Sequence, residues 1–187
     1  MGDDFSAVGA NIDILGGTVG RNLQLVNTEA DISGGTVGRF FAGFDAYAGS
    51  TVNILGDARI AGGPSSASAG STVNISGGTL TSVLDANAGS VVNVSGGNTA
   101  RGLDANEGSV VFISGGELGS VGARSGSSVE IVGGSVGSFR ARENSVVTIS
   151  GGTFGLDFVA ETGADVNQDG EVNFEDIPRL IEILIAS

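Results

Sequence analysis

The sequence predicts an all-β fold, a single-stranded parallel β-helix of about eight triangular rungs over residues 1–160, with a loop and a short amphipathic helix appended over 161–187. Three observations carry this expectation. A Gly-Gly pair returns every 18 to 22 residues, a pair of mostly β-branched residues precedes each return, and acidic residues crowd the chain after Ala160. Glycine accounts for 34 of the 187 residues and proline for only 2, so the glycines punctuate something regular that is neither collagen nor a proline-rich linker.

The first strand of each repeat is the plainest. With the first glycine of each pair as marker, the repeats stand at Gly16, Gly34, Gly77, Gly96, Gly115, Gly133 and Gly151, and Gly56 of Gly-Asp replaces one pair. The steps are 18, 22, 21, 19, 19, 18 and 18 residues. Four residues before the markers lie Ile12, Ala30, Val52, Val73, Val92, Val111, Val129 and Val147. Two before them lie Ile14, Ile32, Ile54, Ile75, Val94, Ile113, Ile131 and Ile149. A period of two with β-branched residues inward describes a strand buried on one face.

A second inward column follows three residues after the marker, as Val19, Val37, Leu80, Thr99, Leu118, Val136 and Phe154. A third strand supplies Leu84 with Ala86, Leu103 with Ala105, Val121 with Ala123, Phe139 with Ala141 and Phe158 with Ala160. The length difference between the 19- and 18-residue repeats falls in the turn between the second and third strands. Three strands per repeat give a triangular outline.

The corner before each first strand carries Gly49, Gly70, Gly89, Gly108, Gly126 and Asn144. Glycine and then asparagine is the order of preference at positive φ, which predicts a left-handed residue there. Serine follows each time, at Ser50, Ser71, Ser90, Ser109, Ser127 and Ser145. With no histidine or lysine in the chain to activate them, these are expected to stack as a hydroxyl ladder, not to act as nucleophiles.

Stacking rungs about 4.8 Å apart pools their inward residues into one core, to which each Val, Ile or Leu contributes about 1.5 to 3 kcal/mol. Right-handed winding is expected, because parallel crossovers almost always take that hand. Over residues 11–160 the repeats resemble the 18- to 20-residue rungs of large bacterial surface proteins, the filamentous haemagglutinins and autotransporter passengers. The resemblance implies the solenoid fold and a secreted, extracellular or cell-surface life. Met1 to Ala10 has neither the basic start nor the apolar stretch of a signal peptide, so secretion would rely on a leader outside this sequence. No run of about 18 apolar residues is present to serve as a transmembrane segment.

Composition removes several chemistries. Without Cys, His, Lys or Trp there is no thiol nucleophile, imidazole base, Schiff-base amine or His/Cys zinc site. A net charge of −13 argues against nucleic acid as a partner, since a polyanion needs a basic face.

Two places on the solenoid invite a ligand. The long repeats between Gly34 and Gly77 hold Phe40, Phe41, Phe44, Asp45 and Tyr47, then Gly62 to Gly70. Aromatic rings beside a carboxylate could stack on a sugar face; the favoured alternative is that two Phe rings fill a wider core and the rest form a loop. Asp85 and Asp104 occupy the same place in successive Leu-Asp-Ala-Asn segments, one rung apart on one outer face. A separation of about 5 Å is that of a retaining glycosidase pair, and it is also what repeat duplication produces.

Eight of the 21 acidic residues fall between Asp157 and Glu182. Asp165, Asn167 and Asp169 stand at loop positions 1, 3 and 5, and Gly170 at 6 permits the bend. Glu171 offers its carbonyl at 7, Asn173 acts at 9 directly or through water, and Asp176 closes the loop at 12. This is an oxygen-rich set for Ca2+. Ile177, Leu180, Ile181, Leu184 and Ile185 follow as an apolar stripe at helical spacing. The segment is similar to one half of a type I dockerin repeat, with Asp at position 12 and no preceding helix. That resemblance implies docking to a cohesin-like protein through Phe174 and Glu175, with Arg179 and Leu180 of the following helix beside them.

The function expected is therefore that of a non-catalytic secreted structural or attachment protein, whose calcium-dependent C-terminal segment docks on a partner, self-associates through its helix, or caps the solenoid. The alternatives are a carbohydrate-active β-helix enzyme, a polysaccharide lyase or glycoside hydrolase, and a glycan-binding module.

Overall fold

The computed structural model describes residues 4–39 and 42–161. Within them the chain winds through eight rungs, 11–26, 29–46, 51–67, 72–86, 91–105, 110–123, 128–141 and 146–160, preceded by one strand, Asp4–Val8. Every strand pairs in parallel with its counterpart one rung away. The protein is a parallel β-solenoid, and no described residue is helical. The expected loop and helix after Glu161 lie outside the described residues.

The first-strand column stacks as its spacing predicts. Ile12, Ala30, Val52, Val73, Val92, Val111, Val129 and Val147 lie in one register across the eight rungs. From Ala30 on, all of them are buried. The core leaks only at its ends, where Phe5 and Ile12 at one end and Phe154 and Phe158 at the other are partly buried against it.

Both glycine patterns have physical causes. At the corner, Gly108 has φ of 72° and Asn144 of 58°, the left-handed conformation that a side chain without β-branching tolerates best. Asn27, with φ of 48°, belongs to the same corner column, one rung before its first expected member. In the Gly-Gly pairs both glycines lack room for a Cβ: one on Gly96 would lie 2.6 Å from the Ser76 carbonyl oxygen and one on Gly97 2.5 Å from the Gly77 carbonyl oxygen of the rung below, and Gly97 in addition has φ of 79°. The corner serines are committed: Ser71, Ser90, Ser109, Ser127 and Ser145 each donate to the carbonyl three residues earlier at 2.6 Å.

The long repeats are less irregular than their sequence. Phe44–Ala46 and Ser65–Ala67 are ordinary third strands, aligned with Leu23–Leu25 below and Leu84–Ala86 above. The extra length of these repeats falls at the corner between second and third strands, within 38–43 and 61–64, and in the marker turn of the Gly56 rung. Ser65 hides the second of these strands from a hydrophobic pattern, because a buried serine replaces the leucine; its Oγ accepts from the Phe44 N–H at 3.3 Å. The rung at Gly56 has one extra residue in its marker turn, the buried Ala58, which moves the second inward position to Ile60.

Candidate functional site

The third face of the solenoid collects the chain's chemistry. Inward Leu84, Ala86, Leu103, Ala105, Val121, Ala123, Phe139 and Ala141 are buried, so the residue between each pair faces outward. This outward column runs Asp45, Ser66, Asp85, Asp104, Gly122, Arg140 and Val159.

Of the aromatic group, Phe44 is fully buried, an inward residue of its strand that cannot stack on a sugar. Phe41 lies outside the described residues. Tyr47 is exposed at the corner following Asp45. The Asp45 carboxylate is already engaged, by Asn22 Nδ2 at 3.0 Å and Ser66 Oγ at 2.7 Å. Asp45 and Tyr47 thus remain near neighbours, but the ring cluster is not assembled among the described residues.

Asp85 and Asp104 are register partners on adjacent strands, as their repeats imply. Their surroundings differ. Arg124 Nη2 donates to Asp104 Oδ2 at 2.6 Å, which fixes that carboxylate as half of an ion pair. Burial, and next the neighbouring Asp104 charge, raise the Asp85 pKa above the ordinary aspartate value, with Arg124 opposing. Sequence reasoning missed Arg124. The signal was present, since Leu103-Asp104-Ala105-Asn106 becomes Val121-Gly122-Ala123-Arg124 in the next rung.

Around Gly122 the face sinks into a depression of about 380 Å³, lined by Asp104, Ser120, Arg124, Arg140, Arg142 and Asp157 among others. Three of the chain's eight arginines meet there. Arg140 lies 3.5 Å from Glu161, while no described residue pairs with Arg142.

The first face is built differently. Asn93 Nδ2 donates to Asn74 Oδ1 at 2.9 Å, Asn74 to Asn53 at 2.7 Å and Asn53 to Asp31 at 2.7 Å. This amide ladder consumes its own donors rung by rung. Among the described residues no group of three or more acidic side chains is placed to hold a metal ion. The loop residues Asp165, Asn167, Asp169, Glu171, Asn173 and Asp176, and Phe174, Glu175, Arg179 and Leu180 beside them, lie outside the described residues.

No family model matches the chain, and neither a curated protein nor a solved structure is similar enough to indicate kinship.

Proposed function

We propose that the chain is a non-catalytic spacer of a secreted or cell-surface attachment protein, a rod that holds its C-terminal segment away from its starting point. The observation that carries this reading is the uninterrupted core, buried from Ile14 to Ile149, combined with an outward amide ladder and corner serines satisfied internally. Such a rod is stiff because every rung is bonded to both neighbours, and eight rungs span about 35 to 40 Å. The segment it carries would bind calcium through Asp165, Asn167, Asp169, Glu171, Asn173 and Asp176. It would then dock on a cohesin-like partner or a second copy through Phe174, Glu175, Arg179 and Leu180. Calorimetric titration of the full chain with calcium tests this. One saturable site is expected, lost in a D165A/D169A double variant whose solenoid melts at the native temperature. A native chain that takes up no calcium removes the docking half of the proposal.

A carbohydrate-active enzyme is the second reading, and the unequal environments of Asp85 and Asp104 favour it. An acid–base pair needs one carboxyl that keeps its proton and one that stays ionised. Against it, Asp85 does not line the depression beside Asp104. Release of reducing ends or unsaturated products from polysaccharides, abolished in Asp85→Asn, would establish this reading and displace the first.

A further inference from the structure

Gly122 stands apart from the structural glycines of the rungs. Its φ lies outside the left-handed region, and a Cβ there would meet only the Asp104 carboxylate, Oδ1 at 2.6 Å, with no backbone in the way. The fold therefore does not require glycine at this outward strand position, where glycine lacks a side chain to pack and weakens the strand. Glycine inside a strand otherwise marks a place where something approaches the backbone closely.

What surrounds it suggests what approaches. Asp104 precedes Gly122 and Arg140 follows it in the outward column, about 10 Å apart over two rung spacings. Arg124 and Arg142 flank it at the corner, and Ser120 and Ser138 pair on its other side. Arg124 occupies one oxygen of Asp104, leaving Oδ1 over the glycine without a hydrogen-bond partner among the described residues. Arg142 is exposed and has no carboxylate of its own among them. Against a net charge of −13, the lining of this depression brings three guanidiniums together with two carboxylates, Asp104 and Asp157.

We propose that the depression over Gly122 binds an acidic saccharide, a hexuronate unit whose ring lies on the glycine backbone. A guanidinium presents paired donors that match a carboxylate, which Arg142 supplies, with Arg140, 3.5 Å from Glu161, beside it. Asp104 Oδ1 and the serine oxygens accept hydrogen bonds from sugar hydroxyls. A simple carboxylate such as acetate, or an inorganic anion, would use the arginines and leave the acceptors idle. The mixture of donors and acceptors selects a polyhydroxylated acid. This goes beyond the spacer reading and stands if calcium docking fails, because no residue is shared between them.

The test titrates the full chain with a tri-hexuronate, with the neutral hexose trimer of the same linkage, with acetate, and with a short peptide. Binding of the hexuronate alone, weakening as salt is raised, is expected. Arg142→Gln removes a guanidinium that no described residue pairs with, and Gly122→Val fills the floor with a residue suited to a strand. Each should weaken binding about tenfold or more without lowering the melting temperature. Four results would overturn the proposal: no hexuronate binding, equal binding of the neutral trimer, binding of acetate or peptide as tight as that of the hexuronate, or native affinity in both variants.

Discussion

At the scale of single residues, each rung repeats two kinds of glycine that fail for different reasons when replaced. A Cβ on Gly108 meets nothing closer than Ala88 Cβ at 3.6 Å, so its restriction is purely one of backbone angle. Gly108→Asn should cost less than about 1 kcal/mol and Gly108→Val more than about 2 kcal/mol, because left-handed backbone penalises a β-branched residue most. At Gly96 the restriction is contact with the carbonyl of Ser76, whose N–H donates to the Ile54 carbonyl at 3.0 Å. Asparagine cannot relieve that contact. Gly96→Asn and Gly96→Ala should both lose about 1 to 3 kcal/mol. Chemical denaturation of the four variants checks the contrast, and a benign Gly96→Asn would refute it. Thr99 offers the opposite sign. It is buried between Leu80 and Leu118 in the second column, and its Oγ1 has no hydrogen-bond partner among the described residues. Replacement by valine keeps the shape and removes a buried, unsatisfied hydroxyl, so Thr99→Val should raise stability by about 1 kcal/mol in the same measurement.

At the scale of strands, the third face shows how neighbours set each other's chemistry. Asp85 gains its raised pKa from burial and from Asp104 on the adjacent strand. A carboxyl whose folded pKa lies above its unfolded one supports the fold while protonated, and that support is lost as pH rises from the unfolded value through the folded one. Asp85→Asn should therefore raise the melting temperature at pH 7 and give no gain near pH 3, below the ordinary aspartate value of 3.8. Melting curves of both proteins across that range decide it; an equal effect at both pH values would trace the change to something other than ionisation. Asp85 and Asp104 were legible as a pair because duplication repeats Leu-Asp-Ala-Asn. Arg124 was not, because its rung departs from that segment and only the parallel register brings it over Asp104. Phe44 could be read from the sequence as a surface ring or as core filling, because its long repeat obscures which residues form the strand; its burial decides for the core.

At the scale of the whole molecule, a solenoid is a sum of rungs and interfaces between neighbours, so whole rungs can be exchanged where fractions cannot. Removal of residues 91–109 joins Ser90 to Val110, which takes the register of Val91. That variant should keep its β circular dichroism and unfold at a somewhat lower temperature. Removal of residues 91–100 alone shifts the inward columns out of alignment and should abolish cooperative unfolding. If both deletions behaved alike, the rungs would not be independent units.

The sequence by itself determined the rung count, the first-strand register, the left-handed corner and its serines. Each rests on a local rule, side-chain alternation or backbone angle, repeated often enough to be read along the chain. Only the tertiary structure decided that the third strand begins as early as Asp4–Val8, that Phe44 is core, and that Arg124 engages Asp104. It also decided that Gly122 floors a depression ringed by arginines. These depend on residues about 19 positions apart meeting at about 4.8 Å across a rung, a distance that the linear order does not contain.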